Sequence, residues 1–281
     1  MAGDMTGRVC VVTGANTGIG AATARTLAAR GARVVLACRS EERARPVIDA
    51  IRATAGDDRV DFVRLDLGDL ADVRRAAREL LDRGHPIHVL VNNAGVAGQR
   101  GATRDGFELA FGVNHLGHFL WTSLLMDRLR ASAPARVVNV SSKSHFDARG
   151  IDWDAVRRPT ATFTGLREYA VSKLANVLFT AEFARRHRDA GVTAYALHPG
   201  VIATDVWRRV PWPARAAIKA FMKSPEQGAR TTLYCASDPE VAGESGFYYD
   251  DCRRRSPSAV ARDPALAAEL WRRSAQWTGV A

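Results

Sequence analysis

The stretch RVCVVTGANTGIG, residues 8–20, carries the fold of this chain in outline. A short β-branched run ends at Thr13, and glycines follow at 14, 18 and 20 as an alanine-rich helical pattern begins. Glycines so placed allow a tight turn, close approach of the backbone to a pyrophosphate, and contact between helix and sheet. The helix start then presents free N–H groups and the positive end of its dipole to phosphates. A plain strand–helix turn is the bland alternative, and three glycines at the head of a β-α-β unit argue against it.

Outward from that stretch, apolar runs at 32–38, 59–66, 87–93, 135–142 and 192–200 read as strands, with a weaker one at 245–251. Helical patterns fill the gaps at about 17–30, 41–55, 69–83, 104–132, 166–190 and 225–237. Ser40, Asp69 and Ser224 stand where N-caps belong, and Pro225 occupies a first helical position. Runs that are apolar without alternation suit strands covered on both faces. The pattern continues with no linker or composition break. It predicts one domain over 1–281, a Rossmann-type doubly wound sheet of about seven parallel strands with helices on both faces. Two long connections depart from the rhythm, 143–165 and 201–224, and the tail 263–279 reads as a terminal helix.

The chain has 281 residues, 47% hydrophobic and 25% charged, enough to bury a sizeable core. No apolar run approaches the ~20 residues that span a bilayer. No secretion signal is visible, and four scattered cysteines form no CxxC pair, so reducing cytoplasm is the expected location. The net charge of +10 raises nucleic acid as a partner. Its source is arginine spread along the chain, with CRRRS at 252–256 the densest cluster and no stacking aromatic motif beside it. No nucleic-acid partner is expected.

TGANTGIG, then NNAG at 92–95, Tyr169-x-x-x-Lys173 and HPG at 198–200 resemble the short-chain dehydrogenase/reductase family over residues ~8–250. LACRS, GVNHLGHFLWT, VVNVSS, SKLANVLFT and ALHPGVIAT are similar to its retinol-dehydrogenase-like branch. The resemblance implies a nicotinamide cofactor lying along Gly14, Asn16, Thr17, Gly18, Ile19, Gly20, Asp66, Leu67, Asn93, Ala94, Gly95, Pro199, Gly200, Ile202 and Thr204. In that pattern Asp66 reads the adenine amino group, while Thr204 and the Ile202 N–H contact the carboxamide. At the end of the second strand an NAD site usually places an acid on the ribose. Here Cys38 stands there, followed by Arg39, whose guanidinium suits a 2′-phosphate, so NADP(H) is expected over NAD(H).

Hydride transfer to a carbonyl needs a proton donor and a partner for the oxygen. Tyr169 and Lys173, four apart on a helix, share one face. An ammonium ~5 Å away lowers a phenol by roughly two pKa units at an effective dielectric of ~20. Lys173 is therefore an adequate tuner for Tyr169 as acid/base. Ser141 and Ser142 compete as oxygen binder, and the family pattern favours Ser142. By the same resemblance Asn114 interrupts its helix and holds a water beneath the lysine. His115 and His118 are spaced as metal ligands could be, but no Cys or acidic cluster completes a site, and packing roles are expected.

The 201–224 insertion carries Trp207, Val210, Trp212, Ile218, Phe221 and Met222, suited to a lid over an apolar substrate or to packing. The expected substrate is a small lipophilic ketone or aldehyde, or its alcohol. A non-redox cyclase or dehydratase and a cofactor-binding scaffold are the alternatives on this fold. The resemblance also raises a homodimer paired through the helices at 104–132 and 166–190, while relatives with long tails can be monomers.

Overall fold

A computed structural model describes residues 4–200 and 224–280. Eight strands form one sheet in the order β3-β2-β1-β4-β5-β6-β7-β8. They are β1 (Val9–Thr13), β2 (Arg33–Cys38), β3 (Val60–Arg64), β4 (Val89–Asn92), β5 (Ala135–Val140), β6 (Val192–His198), β7 (Phe247–Asp250) and β8 (Arg253–Arg255). The first seven run parallel, in the register Val11↔Val35 and Val11↔Leu90 at the centre. The order reverses between β1 and β4, so the carboxyl ends of these two strands open a crevice.

The unalternating apolar strands have the predicted cause. Cys10 and Val12 face one core with α1 (Gly18–Ala29), α2 (Glu41–Ala55) and α8 (Pro225–Ser237). Val9 and Val11 face the other core, with α3 (Leu70–Asp82), α5 (Gly117–Leu124), α6 (Met126–Ala131) and α7 (Leu166–Arg186). Both faces being dry, each strand side chain is worth about 1.5–3 kcal/mol of burial. The cap residues act as expected: the Ser40 hydroxyl accepts from Arg43 N, the Asp69 carboxylate from Ala71 N and Asp72 N, and Ser224 forms a capping box with Gln227.

Two expectations are corrected. The strand β8 was not foreseen; it pairs antiparallel to β7 across Asp251-Cys252, both at positive φ, as a two-residue hairpin of mirror-image type requires. Its sequence, RRR, is exposed on all three residues, so the basic cluster reads as surface while its backbone closes the sheet edge. The helical stretch expected over 104–132 begins only at Leu109, and it is interrupted around Asn114 as the resemblance implies. Short α4 (Leu109–Phe111) runs into a π-turn, Gly112–Leu116, before α5 and α6.

The terminal helix α9 (Pro264–Thr278) lies on α7 and α5. Trp271 stacks on Phe179 with centroids 5.7 Å apart and meets Phe119 edge-on at 5.1 Å. Among the described residues no helix is long and apolar enough to cross a membrane.

Candidate active site

The site is assembled where β1, β4, β5 and β6 end. Gly14 has φ +65°, and a Cβ there would lie 2.8 Å from the Ala94 Cα. A Cβ on Gly20 would lie 2.4 Å from the Gly14 carbonyl oxygen and 2.5 Å from Asn93 Nδ2. Both positions therefore admit only glycine. Thr17 is the N-cap of α1 in extended conformation and makes no side-chain cap bond, and no acid stands in the first turn. Asn16, Thr17, Gly18 and Ile19 thus lead into a helix start that suits a phosphate, in backbone and in charge.

Thr13 ties this loop to the next. Its Oγ1 accepts from Asn93 N and Ala94 N, each at 2.9 Å, and Asn93 Nδ2 donates to the Thr13 carbonyl at 2.8 Å. Gly95 lies so close to the catalytic candidates that a Cβ would be 3.1 Å from Asn114 Oδ1 and 3.6 Å from Lys173 Nζ. Beyond β3, the Asp66 carboxylate accepts from Gly68 N, and its own N–H donates to buried Asp72 at 2.7 Å. Leu67 is buried against Gly117 of α5. Cys38 is buried, which raises its thiol to about 11, whereas Arg39 is exposed and makes no hydrogen bond or ion pair among the described residues. The glycine cradle and helix start fit a nicotinamide dinucleotide.

Asn114 sits in the π-turn, fully buried and fully bonded. Its Oδ1 accepts from Val96 N at 2.8 Å, and its Nδ2 donates to the Val96 carbonyl and Ser172 Oγ, both at 2.9 Å. Lys173, 4% exposed, donates from Nζ to the Val140 carbonyl at 2.9 Å, and burial lowers its pKa to about 8. Its Nζ lies 5.5 Å from the Tyr169 ring centroid. Burial, first, holds Tyr169 above the usual phenol range, and the nearby Ser142 hydroxyl acts in the opposite direction. The lowering expected from Lys173 is not found: Tyr169 is raised, and Lys173, pushed down to about 8 by its own burial, does not offset it.

The two serines separate cleanly. Ser141 is buried and donates back to the Lys173 carbonyl at 2.8 Å, while the Ser142 hydroxyl lies beside the Tyr169 phenol and donates to Ser144 Oγ at 3.2 Å. Strand alternation at the end of β5 sends them opposite ways. Pro199 and Gly200 follow β6 at the same edge, half-buried. Ile202, Thr204 and the 201–223 part of the insertion lie outside the described residues.

The paired histidines serve different neighbours. His118 joins Thr13 Oγ1 at 2.8 Å and the Asn114 carbonyl at 3.0 Å, while His115 joins Ser274 Oγ at 2.9 Å. Thr13, His118 and Ser172 escape a reading by motif because their partners come from distant elements. A cavity of about 990 Å³ lies at the other end of the sheet, lined by Arg8, His88 and Arg136 among others. It shares no residue with this constellation.

A glycine-rich helix start, an Asn–Tyr–Lys cluster and a serine at one sheet edge define a dinucleotide-dependent oxidoreductase of Rossmann type. The family model for short chain dehydrogenase matches residues 8–152. Retinol dehydrogenase 12 of Mus musculus is 44% identical over 282 residues, covering 98% of this chain and 87% of that protein. Retinol dehydrogenase 11 of Homo sapiens is 45% identical over 268 residues, covering 94% and 84%. A protein of solved structure from Mycobacterium paratuberculosis superposes with a TM-score of 0.79 at 35% identity, covering 99% and 96%. Another, described as an NAD(P)-dependent gluconate 5-dehydrogenase from Beutenbergia cavernae with bound NADP, gives 0.71 at 27% identity, covering 88% and 96%. The chain belongs to the short-chain dehydrogenase/reductase family, in its retinol-dehydrogenase-like branch, and is an oxidoreductase of the nicotinamide-dependent kind.

Proposed function

We propose that this enzyme interconverts a lipophilic ketone or aldehyde and its alcohol using NADP(H). The observation that carries the reading is the buried Lys173, its Nζ 5.5 Å from the Tyr169 ring centroid, with the Ser142 hydroxyl beside the same phenol. A bound nicotinamide supplies or accepts the hydride. In the reductive direction Ser142 donates a hydrogen bond to the carbonyl oxygen, and Tyr169 gives its proton to the oxygen as charge develops. Lys173 stabilises the phenolate left behind, and Asn114 fixes the loop beneath it. Arg39, unengaged by an acid among the described residues, supports NADP(H) through a 2′-phosphate contact.

The residues of 201–223, which include Trp207, Trp212 and Phe221, are assigned to substrate choice. The four free cysteines support a reducing compartment such as the cytoplasm.

Tyr169→Phe is the test. NADPH-dependent reduction across a panel of long-chain and aromatic aldehydes should fall at least ~10³-fold, while NADPH binding by fluorescence titration is retained. A variant of undiminished turnover sinks the mechanism. Product formed without cofactor consumption would point instead to the non-redox alternative.

A further inference from the structure

The turn after β5 holds a buried histidine that the proton and hydride chemistry leaves unused. His145 is 0% exposed, and its two ring nitrogens meet backbone groups of opposite kind. Nδ1 lies 2.7 Å from the Ser142 carbonyl oxygen, which carries no hydrogen, so Nδ1 donates. Nε2 lies 3.2 Å from the Ser258 amide nitrogen, whose N–H donates, so Nε2 holds a lone pair. Together the two partners leave one protonation state, the neutral ring with its proton on Nδ1.

Packing fixes the ring plane. Tyr248 of β7 meets it edge-on with centroids 4.8 Å apart, and Phe146 lies at 4.1 Å. Burial, first, holds the imidazole below its ordinary pKa, opposed by the Ser142 carbonyl and by Asp147 on the same turn. The other charges nearby answer each other, since Lys143 Nζ pairs with Asp250 at 3.0 Å. The Tyr248 phenol, raised by burial and then by Asp250, stays neutral.

Ser142 is held from several sides. Its Oγ accepts from Ser144 N at 3.1 Å and donates to Ser144 Oγ at 3.2 Å, and the next amide, Lys143 N, donates to His198 Nδ1 of β6 at 3.3 Å. Its carbonyl also accepts the turn's own bond from His145 N at 3.1 Å. Only the imidazole reaches beyond these to the segment between β8 and α9. There the Ser258 hydroxyl accepts from Ala261 N at 3.3 Å and organises the lead into the last helix.

We propose that His145 is a positioning residue: it ties the Ser142 carbonyl to the Ser258 backbone, and so makes the segment between β8 and α9 part of the framework that aims the serine hydroxyl at Tyr169. The proposal rests on Ser142 as the substrate-oxygen binder. A displacement of order 1 Å at such a group costs up to ~10²-fold in rate, so the tie has leverage out of proportion to its size.

The first measurement is long-range ¹⁵N–¹H correlation on the ¹⁵N-labelled wild-type protein at neutral pH. It should show His145 as the Nδ1–H tautomer, and an Nε2–H tautomer or an imidazolium overturns the proposal. The second compares His145→Asn, which keeps an amide donor near the Nδ1 position, with His145→Phe, which fills the ring volume without a nitrogen. With the best-reduced aldehyde of the panel, His145→Phe should lower kcat about tenfold or more at unchanged NADPH affinity, and His145→Asn should recover most of it. Equal losses in both, accompanied by weakened NADPH binding, mean a role in general integrity only and overturn the proposal. Unchanged kcat in His145→Phe while Ser142→Ala is inactive overturns it alone. A fully active Ser142→Ala removes the reading beneath it.

Discussion

Lys173 is the residue whose energetics are most at odds with stability. Its pKa in the folded chain, about 8, lies below the 10.5 of an ordinary lysine because burial penalises the ammonium. Between those values the unfolded chain binds more protons than the folded one, so stability rises with pH across that window. Below about 8 both states are charged and the cost of burial is fully present, about 3 kcal/mol at most. Lys173→Met should therefore be inactive yet up to about 3 kcal/mol more stable at pH 7, with the difference gone by about pH 10.5. Asn176 Nδ2 at 3.2 Å keeps the Val140 carbonyl partnered in that variant. Urea titrations at the two pH values measure this, and a variant less stable at pH 7 would refute it. Arg39 offers the second test at this scale. Arg39→Ala should weaken NADPH binding about tenfold or more and leave NADH binding nearly unchanged, because only the former carries the 2′-phosphate. Equal weakening of both would remove the specificity assignment.

At the scale of elements, the π-turn is where local pattern and tertiary need part company. Periodicity alone continues a helix through residues 112–116, since Val113 and Leu116 are apolar at helical spacing. The extra residue in the turn instead carries Asn114 inward, to Val96 on the loop after β4 and to Ser172 on α7. Its amide is thus a three-way clasp between elements that bring cofactor loop and catalytic helix together. Asn114→Ala would leave the half-buried Val96 N–H and C=O without this partner, a loss of about 1–3 kcal/mol. Chemical denaturation should show it, along with lower kcat. A loss under ~0.5 kcal/mol would mean the clasp is not structural. The Tyr169–Lys173 spacing and the glycine loop were readable because each acts within one element. Asn114 was reached only through family resemblance, and Thr13 and His118 not at all, because their bonds span 78 to 105 residues.

For the whole molecule, the decisive contact is the last helix. Pairing of two copies through α5 and α7 would need an open face, and α9 lies across it with Trp271 and Ala275 packed among Phe119, Phe179 and Phe183. An intramolecular helix competes at high effective concentration with a second copy. Sedimentation across a hundredfold range of concentration should accordingly give a monomer. A stable dimer whose interface maps to α5 and α7 would show that α9 is displaced.

The sequence by itself determined the sheet, its parallel strands and the glycine-rich helix start, because apolar period, glycine placement and caps are local in cause. It determined the Tyr–Lys pair for the same reason, the helix returning to one face after four residues. Only the tertiary structure decided which serine faces the tyrosine, which acceptor holds the lysine, and that an exposed run of arginines closes the sheet. Each of those depends on a partner far along the chain, and hydrogen-bond direction and burial have no meaning until that partner is in place.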